Sequence, residues 1–239
     1  MSVVTTGDID VLILCGGLGT RFSEVRNDIP KALAPINGKP FLDILINDLV
    51  SQGFKRIILA SGHLSNQIED NMEKRTDIEF NISRETKPLG TGGAIKFAER
   101  HFRSDPVLVM NGDSRISFNF KNLLKTYFEQ DCDALILLSN NTNGEDYGNV
   151  TMDNTGRICG FSEKPLKKFR SEFVNAGVYL FSRKLIHKLP PNKTISLEKD
   201  LMTFWLKKGK HIYGIVVNNP VQDIGTRERY NNLKNTAMT

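Results

Sequence analysis

A short apolar strand that leads directly into a glycine-rich loop is the feature that most restricts the fold of this chain. Residues 9–14 are apolar except for Asp10, which is typical of a buried strand in a parallel sheet. Glycines follow at positions 16, 17 and 19, and Thr20 and Arg21 come next. A loop without Cβ atoms lets backbone N–H groups approach an anion closely. The sequence therefore predicts a phosphate-binding loop after the first buried strand.

Two common phosphate-binding motifs do not match this loop. The dinucleotide fingerprint needs a glycine where Phe22 stands, and the P-loop pattern needs Gly-Lys followed by Ser or Thr. The loop instead reads G-G-x-G-T-R, and Pro30 and Lys31 follow nine residues later. Arg21 offers a forked donor and Lys31 a mobile point charge, which together suit the oxygens of a triphosphate. A tight glycine turn with two solvated cations is the alternative.

Strands and helices alternate along the rest of the chain. Apolar periodicity predicts strands at 55–60, 78–82, 106–110, 134–139, 174–181 and 211–217, a hairpin within 147–161, and helices at 41–53, 64–75, 92–102, 123–128, from 196 onward, and 226–234. This alternation favours right-handed crossovers and a mainly parallel sheet, which binds ligands beyond the carboxyl ends of its strands. The predicted fold class is therefore α/β: a Rossmann-like, three-layer, mixed and mainly parallel sheet with helices on both faces.

A second glycine cluster opens the helix predicted at 92–102. Residues 88–94 read Pro-Leu-Gly-Thr-Gly-Gly-Ala, and Glu85 lies just before them. Such a backbone can approach a flat base or a ribose, and the helix N-terminus favours negative charge. The Glu85 carboxylate can accept the N1–H and N2–H of guanine, hydrogen bonds that adenine cannot supply. The alternatives are a loop that needs positive φ angles and a solvated carboxylate.

Two aspartates stand far apart in the chain, and each follows an apolar segment. Asp113 comes after the strand at 106–110, and Asp223 lies in the segment 221–226. Mg²⁺ prefers hard oxygen ligands and usually takes one or two carboxylates together with phosphates. The pair therefore predicts a Mg²⁺ site, with a cap or turn aspartate as the alternative for either residue.

These motifs, taken in order, resemble the signature of the sugar-1-phosphate nucleotidyltransferases over residues 11–227. Within that family, residues 14–21 and 29–35 are most similar to the short bacterial enzymes that make GDP-heptose. The resemblance implies the nucleotide-diphospho-sugar transferase fold as a single domain over residues 1–239. A nucleotide-binding half would cover about 9–110 and a sugar-phosphate-binding half about 111–239.

The resemblance also assigns roles to individual residues. The catalytic residues would be Arg21, Lys31 and Asp113, and Mg²⁺ would bind Asp113 and Asp223. The nucleotide would bind Leu14, Cys15, Gly16, Gly17, Gly19, Thr20, Arg21, Lys31, Glu85, Pro88, Gly90, Thr91, Gly92 and Asn111. The sugar phosphate would bind Gly112, Glu163, Lys164, Asn175 and Gly177, with Lys164 on the phosphate, Glu163 and Asn175 on hydroxyls, and Gly177 leaving room for the ring. Glu198 and Asp200 can add sugar contacts, but a solvated helix face fits them better.

The predicted reaction is nucleotidyl transfer from an NTP, with GTP favoured, to a sugar 1-phosphate, with D-glycero-α-D-manno-heptose 1-phosphate favoured. The sugar phosphate oxygen would attack the α-phosphorus in line and pyrophosphate would leave, for surface polysaccharide synthesis. Mannose, glucose or N-acetylmuramate 1-phosphate as acceptor, or a non-catalytic nucleotide-sugar sensor on the same fold, are the alternatives. An NAD(P)-dependent oxidoreductase is disfavoured by the missing third glycine.

Composition limits the partners and the compartment. The net charge of +5 arises from scattered basic residues among acidic ones, which does not indicate a nucleic-acid surface. The three cysteines show no metal-ligand spacing and fit a reducing cytoplasm. No apolar stretch reaches the roughly 18 residues that a membrane span needs, and the first eight residues do not resemble a signal peptide. We expect a cytoplasmic monomer or homodimer that binds neither nucleic acid nor membrane.

Overall fold

The computed structural model describes residues 4–17, 28–140, 148–162 and 173–236. The strands in these ranges are β1 (Val11–Leu14), β2 (Pro35–Ile36), β3 (Lys39–Pro40), β4 (Arg56–Ser61), β5 (Glu79–Arg84), β6 (Val107–Asn111), β7 (Ser114–Arg115), β8 (Ala134–Ser139), β9 (Asn149–Met152), β10 (Ile158–Ser162), β11 (Phe173–Phe181), β12 (Ile212–Val217) and β13 (Gln222–Asp223). The α-helices are α1 (Phe41–Ser51), α2 (Ser65–Met72), α3 (Gly90–Ala98), α4 (Phe120–Glu129), α5 (Arg183–His187), α6 (Thr203–Lys207) and α7 (Arg227–Thr236).

A nine-stranded sheet forms the centre of the molecule. Its N-terminal part is parallel, in the order β6-β1-β4-β5. Strand β11 joins this part to the rest of the sheet by pairing antiparallel with β6, β8 and β9. Strand β12 runs parallel to β8, and β10 runs antiparallel to β9. The predicted mixed, mainly parallel α/β sheet is confirmed, and the carboxyl ends of β1, β4, β5 and β6 share one edge.

Two apolar clusters cover the two faces of this sheet. Val11 and Ile13 of β1 pack in a cluster with residues of α1, α2 and α4. Leu12, between them in the sequence, packs in the other cluster with residues of α3, α5 and α6. Successive strand residues point to opposite faces, so a strand buried on both faces is apolar throughout. The three-layer arrangement predicted from the apolar runs is therefore confirmed.

The helix predicted to begin after Ser196 departs from regular α-helix. Residues Leu197–Met202 form a π-helix, in which the Leu201 N–H donates to the Ser196 carbonyl at 3.1 Å, and α6 follows. The wider turn shifts the rotation of the residues beyond it. Helical spacing predicts an apolar face made of Leu197, Leu201, Phe204 and Trp205. Trp205 is buried as predicted, but Phe204 is 51% exposed, so its predicted inward orientation is wrong.

Other differences concern short elements and helix ends. The periodic patterns did not predict α5 or the two-stranded pairs β2–β3 and β7–β13. Helix α4 begins three residues earlier than predicted because the Asn119 side chain accepts hydrogen bonds from the N–H groups of Lys121 and Asn122. The helices of the described ranges are all too short or too polar to cross a lipid bilayer.

Candidate active site

The segments that follow β1, β4, β5 and β6 are held side by side at one edge of the sheet. Three backbone hydrogen bonds continue the ladder beyond the strands: Cys15 N to Ala60 O at 2.8 Å, Gly112 N to Leu14 O at 3.0 Å, and Glu85 N to Ser61 O at 2.8 Å. Predicted site residues from three separate parts of the sequence therefore meet here, as the parallel topology requires.

Gly112, directly after β6, packs against Leu14 at the end of β1 and against Cys15, which follows it. A Cβ atom at this position would stand 2.7 Å from the Leu14 carbonyl oxygen and 3.0 Å from the Cys15 Sγ. Only glycine permits this close approach of two backbones. Burial, with a smaller contribution from Asp113, raises the pKa of Cys15 to about 12. The thiol is therefore protonated near neutral pH and is not an activated nucleophile.

Lys31 and Asp113 form an ion pair at this edge. Lys31 lies in a short 3₁₀ turn, Lys31–Leu33, directly after Pro30. Its Nζ stands 2.5 Å from Asp113 Oδ2, and the side chains are 16% and 41% exposed respectively. The structure thus brings together two of the predicted catalytic residues, and the carboxylate remains open to solvent. A cation next to an accessible carboxylate suits a site that binds phosphate and metal together.

Asp223 lies beside Asp113 in the fold although 110 positions separate them in the sequence. Strand β13 pairs antiparallel with β7, so that Asp223 is opposite Ser114, and the Ile224 N–H donates to the Asp113 carbonyl at 3.0 Å. Asp223 also has a turn role, because its Oδ1 accepts the Gly225 N–H at 2.8 Å. The Arg229 guanidinium is 3.3 Å from its Oδ2.

Among the described residues, Asp113 and Asp223 are the neighbouring carboxylates that could hold a divalent cation. No cluster of three or more His, Cys, Asp or Glu side chains suited to a metal occurs in the part of the chain that the structure describes. One or two carboxylates supplemented by substrate phosphates is the usual way in which proteins hold Mg²⁺. The pair of carboxylates, Asp113 just before β7 and Asp223 on β13, therefore fits that ion better than a metal that needs a full protein cage.

The glycines of the second cluster make room for another part of this chain. A Cβ atom would stand 2.5 Å from the Ile195 carbonyl oxygen at Gly90 and 2.6 Å from the Leu201 Cδ1 at Gly92. The Ile195 carbonyl accepts the N–H groups of Gly92 at 2.9 Å and Gly93 at 3.2 Å. The need for glycine at these positions is therefore explained by the packing of residues 195–201 against the first turn of α3. Gly90 also has φ +69°, in agreement with the alternative. Nucleotide contact by Gly90, Thr91 and Gly92 stays a prediction.

Glu85 and Pro88 stabilise the turn that precedes α3. Glu85 Oε2 accepts the Leu89 N–H at 3.0 Å, and the Pro88 carbonyl accepts the Thr194 hydroxyl at 3.1 Å. Burial raises the pKa of Glu85 above its ordinary value, against the smaller effect of the Leu89 hydrogen bond. Glu85 is thus not a fully solvated carboxylate, and its role as a guanine acceptor stays a prediction.

The residues predicted for the two substrates meet at β11. Gly177 has φ +73°, and a Cβ atom there would stand 2.8 Å from Asn111 Nδ2. The pairing of β11 with β8 shifts register between Asn175 and Tyr179, which marks a bulge. The Gly177 N–H donates to Asn175 Oδ1 at 3.1 Å. Asn111, predicted for the nucleotide, therefore borders Gly177, predicted for the sugar.

In this region the sequence analysis misjudged Glu198 and did not single out Tyr179. Glu198 is half-buried and accepts the Thr91 hydroxyl at 2.9 Å, so its assignment to a solvated helix face is wrong. Asp200 is exposed and accepts the Ser196 N–H at 2.8 Å. Tyr179 is fully buried and accepts from Asn175 Nδ2 at 2.7 Å. The available signal was a polar aromatic residue in an otherwise apolar strand, which needs a hydrogen-bond partner when buried.

Several predicted residues lie outside the described residues. They are Gly19, Thr20 and Arg21 of the first loop and Glu163 and Lys164 of the sugar-phosphate segment. Their assigned roles stay predictions, as do those of Gly16 and Gly17.

The comparison with known proteins decides the family. A family model described as "Nucleotidyl transferase" matches residues 10–238. The chain belongs to the nucleotidyl transferase family. The predicted resemblance, fold and enzyme class are therefore confirmed. Nucleotidyl transferases of this kind generally use a divalent metal with nucleotide and sugar phosphate substrates, in agreement with the neighbouring carboxylates of Asp113 and Asp223.

Individual relatives of this nucleotidyl transferase match along nearly its whole length. D-glycero-alpha-D-manno-heptose 1-phosphate guanylyltransferase of Campylobacter jejuni is 32% identical over 223 residues, which is 93% of this chain and 97% of the relative. The enzyme of the same name from Aneurinibacillus thermoaerophilus is 32% identical over 226 residues, 93% and 95% of the two chains. The crystal structure of HddC from Yersinia pseudotuberculosis superposes with a TM-score of 0.83 at 32% identity, covering 96% of this chain and 99% of HddC.

Proposed function

We propose that this enzyme transfers GMP from GTP to D-glycero-α-D-manno-heptose 1-phosphate, forming GDP-heptose and pyrophosphate. The observation that carries the proposal is the similarity to HddC, which has also been crystallised with GMP-PN and then superposes with a TM-score of 0.82 at 32% identity. The C. jejuni and A. thermoaerophilus relatives carry the name of the same reaction. The neighbouring placement of Lys31, Asp113 and Asp223 supplies the charges that such a reaction needs.

The chemistry is an in-line displacement at the α-phosphorus of GTP. An oxygen of the sugar phosphate forms a bond to that phosphorus, and the bond to the bridging oxygen of the β-phosphate breaks, so that pyrophosphate leaves. Phosphoryl and nucleotidyl transfer depend mainly on positioning and on stabilising the charge of the phosphate oxygens. Lys31 provides one such charge and Arg21 is proposed to provide another. The neutral Cys15 thiol agrees with a reaction that has no covalent enzyme intermediate.

Mg²⁺ is the proposed ion, with Asp113 and Asp223 as the residues that would hold it. When bound, the ion would neutralise phosphate charge and so ease the approach of one anionic substrate to another. The Lys31 ammonium group contacts the Asp113 carboxylate. Its flexible side chain can leave the carboxylate and donate to a phosphate oxygen without any movement of the backbone. We further propose a cytoplasmic monomer or homodimer.

A substrate panel tests the proposal. Purified protein receives GTP, ATP, UTP, CTP or dTTP with the 1-phosphate of D-glycero-α-D-manno-heptose, mannose, glucose or N-acetylmuramate, and pyrophosphate release is measured. The fastest release is expected from GTP with the heptose. Mannose 1-phosphate is the most informative alternative, because the zebrafish (Danio rerio) mannose-1-phosphate guanylyltransferase catalytic subunit beta is 32% identical over 220 residues, 90% of this chain and 60% of the relative.

Each other outcome rejects a defined part of the proposal. Fastest release from GTP with mannose 1-phosphate would keep the base and reject the heptose. Preference for a pyrimidine nucleotide would reject both. No release with any pair, together with binding of a nucleotide sugar, would favour the non-catalytic sensor.

A further inference from the structure

Four polar side chains form a hydrogen-bonded path between the two predicted substrate segments. Asn175 Nδ2 donates to the Tyr179 hydroxyl at 2.7 Å, and this hydroxyl donates to Glu198 Oε1 at 3.4 Å. The other carboxylate oxygen, Glu198 Oε2, accepts the Thr91 hydroxyl at 2.9 Å. Thr91 lies in the first turn of α3, whereas Asn175 and Tyr179 lie on β11. The path therefore crosses three separate elements of the fold.

The direction of the hydrogen bonds along this path is determined by Glu198. The Tyr179 hydroxyl has a single hydrogen, which it donates to Glu198, so it accepts from Asn175. This orients the Asn175 amide with its NH₂ toward Tyr179 and its oxygen toward the Gly177 N–H, at 3.1 Å. Burial, and next the charge of Glu198, raise the pKa of Tyr179 well above its ordinary value, so the phenol keeps its proton. Glu198, which lies on another element, thereby fixes the orientation of the Asn175 amide group and so the direction of its second N–H bond.

The Thr91 end of the path is tied to the same segment of chain by its backbone. The Leu197 N–H donates to the Thr91 hydroxyl oxygen at 2.7 Å, and the Gly92 N–H donates to the Ile195 carbonyl at 2.9 Å. A displacement of the first turn of α3 therefore carries residues 195–198 with it. Glu198, as part of that segment, passes the displacement to Tyr179.

The distance between the Tyr179 hydroxyl and the Glu198 carboxylate is the one that can change most readily along this path. At 3.4 Å it is the longest of the links and exceeds the usual range of O–H···O hydrogen bonds, about 2.5–3.0 Å. Each neighbouring link is shorter than 3.0 Å. Hydrogen bonds of this kind often shorten only when substrates are bound. The Tyr179–Glu198 contact, whose length can change, thus lies between two short hydrogen bonds.

We infer that Thr91, Glu198, Tyr179 and Asn175 form a relay that couples the nucleotide and sugar phosphate subsites, with Tyr179 and Glu198 as positioning residues. The inference rests on the proposed function and on the predicted contacts of Thr91 with the nucleotide and of Asn175 with the sugar. Occupation of either subsite tightens the Tyr179–Glu198 contact and so preorganises the other. Because such coupling is reciprocal, each substrate increases the affinity of the other by the same factor. We expect a factor of about 10, within the usual range for coupled sites.

The test measures this factor directly. The dissociation constant of a GTP analogue whose α,β-bridging oxygen is replaced by a methylene group, so that the bond broken in the transfer cannot break, is determined by calorimetry with and without saturating heptose 1-phosphate. The ratio of the two constants is the coupling factor. Tyr179→Phe removes the hydroxyl and keeps the ring, which stacks on Phe181 with centroids 5.4 Å apart. The factor is expected to fall from about 10 to near 1. A change in affinity for the analogue alone cancels in the ratio.

Tyr127→Phe is the matched control. Tyr127 is also buried, but it packs in the cluster on the opposite face of the sheet. This variant should keep the wild-type coupling factor. Glu198→Ala provides a second test should Tyr179→Phe fold poorly, as judged by its melting temperature. The double variant should lose no more coupling than either single one, because both interrupt the same path.

The outcomes separate the relay from the function. A wild-type factor near 1 with clear binding of both ligands, or wild-type coupling retained in both Tyr179→Phe and Glu198→Ala, would overturn the relay and leave the proposed reaction standing. Absence of binding of the GTP analogue and the sugar phosphate to the wild-type protein would overturn both. Equal loss of coupling in Tyr127→Phe would show a general effect of core polarity and would also reject the relay.

Discussion

Each end of the parallel sheet carries an ion pair between an aspartate and a basic side chain, but the aspartate at the amino end is buried and the one at the carboxyl end is accessible to solvent. At the amino end, Asp10 is 3% exposed and accepts from Arg56 Nη1 and from the N–H groups of Arg103 and Ser104. At the carboxyl end, Asp113 is 41% exposed and contacts Lys31. The Asp10 carboxylate is satisfied by protein donors, whereas the Asp113 carboxylate keeps access to solvent. The amino end uses the ion pair to hold loops in place, and the carboxyl end presents an ion pair that a ligand can exchange.

The energetics of the two ion pairs should differ accordingly. Breaking a buried and fully hydrogen-bonded pair leaves an uncompensated charge in the interior, which is costly. Breaking an accessible pair costs little in stability because water replaces the lost partner. The amino end should therefore respond to mutation in the free energy of unfolding, and the carboxyl end in turnover.

The largest expected effect is that of Asp10→Ala on stability. It removes the buried partner of the Arg56 guanidinium, which is itself buried and keeps the half-exposed Glu79 carboxylate at 3.2 Å and the His101 carbonyl at 2.5 Å. It also removes the acceptor of the Arg103 and Ser104 N–H groups. The free energy of unfolding should fall by about 3–5 kcal/mol. Denaturant titration measures this, and the turnover of the folded fraction should be near that of the wild type.

Asp77→Ala is the matched control for a surface ion pair. Asp77 contacts Arg75 at 2.7 Å, and its side chain is 46% exposed. Its loss should cost less than about 1 kcal/mol. Similar losses for Asp10→Ala and Asp77→Ala would contradict the contrast between buried and accessible pairs.

The next effect in size is that of Lys31→Ala on turnover. Removing a cation directed at the developing charge should lower kcat roughly 100-fold or more, about 2.7 kcal/mol of transition-state stabilisation. The melting temperature should stay close to that of the wild type. Lys39→Ala, which removes an exposed lysine on the nearby strand β3, should change neither quantity. Near wild-type kcat in a well-folded Lys31→Ala protein would exclude Lys31 from the mechanism.

A double-mutant cycle tests whether Asp113 and Asp223, at the carboxyl end of the sheet, bind the same metal ion. Asp113→Asn and Asp223→Asn keep the shape and remove the charge. If both hold one Mg²⁺, the first substitution already spoils the site, so the two losses of activity should be non-additive by about 1–3 kcal/mol. Each single variant should also need more Mg²⁺ for half-maximal activity. Multiplicative losses with unchanged Mg²⁺ dependence would return Asp223 to a purely structural turn role with Gly225 and Arg229.

The smallest effect is expected from Glu85→Gln. Burial raises the folded-state pKa of Glu85, so the folded protein binds the proton more tightly than the unfolded chain. Wild-type stability should therefore decline as pH rises from the ordinary glutamate pKa through the raised value, and the Gln variant should lack this decline. Melting temperatures between acidic and neutral pH measure it. The preference for GTP over ATP should also weaken, because an amide cannot accept both guanine N–H groups. An unchanged preference would remove Glu85 from base recognition.

Much of the fold could be predicted from local pattern. The apolar run before the first glycine loop and the alternation of strand and helix patterns determine a three-layer α/β architecture, since burial on both faces demands apolar strands. The parallel order then places residues after β1, β5 and β6 at one edge. The positions of Cys15, Glu85 and Asp113 follow from that rule alone.

What only the tertiary structure decided are contacts between residues far apart in the chain. The pairing of β7 with β13 sets Asp223 beside Asp113, yet two-residue strands have no periodicity that a sequence could reveal. Gly90 and Gly92 look suited to a ligand, but Ile195, about a hundred residues later, packs against both of them. In the sequence, Glu198 does not differ from other charged helix residues. Its hydrogen bonds with Thr91 and Tyr179 exist only in the folded structure. Composition and spacing describe a residue's own segment, whereas hydrogen bonding at a site depends on which distant segment packs against it.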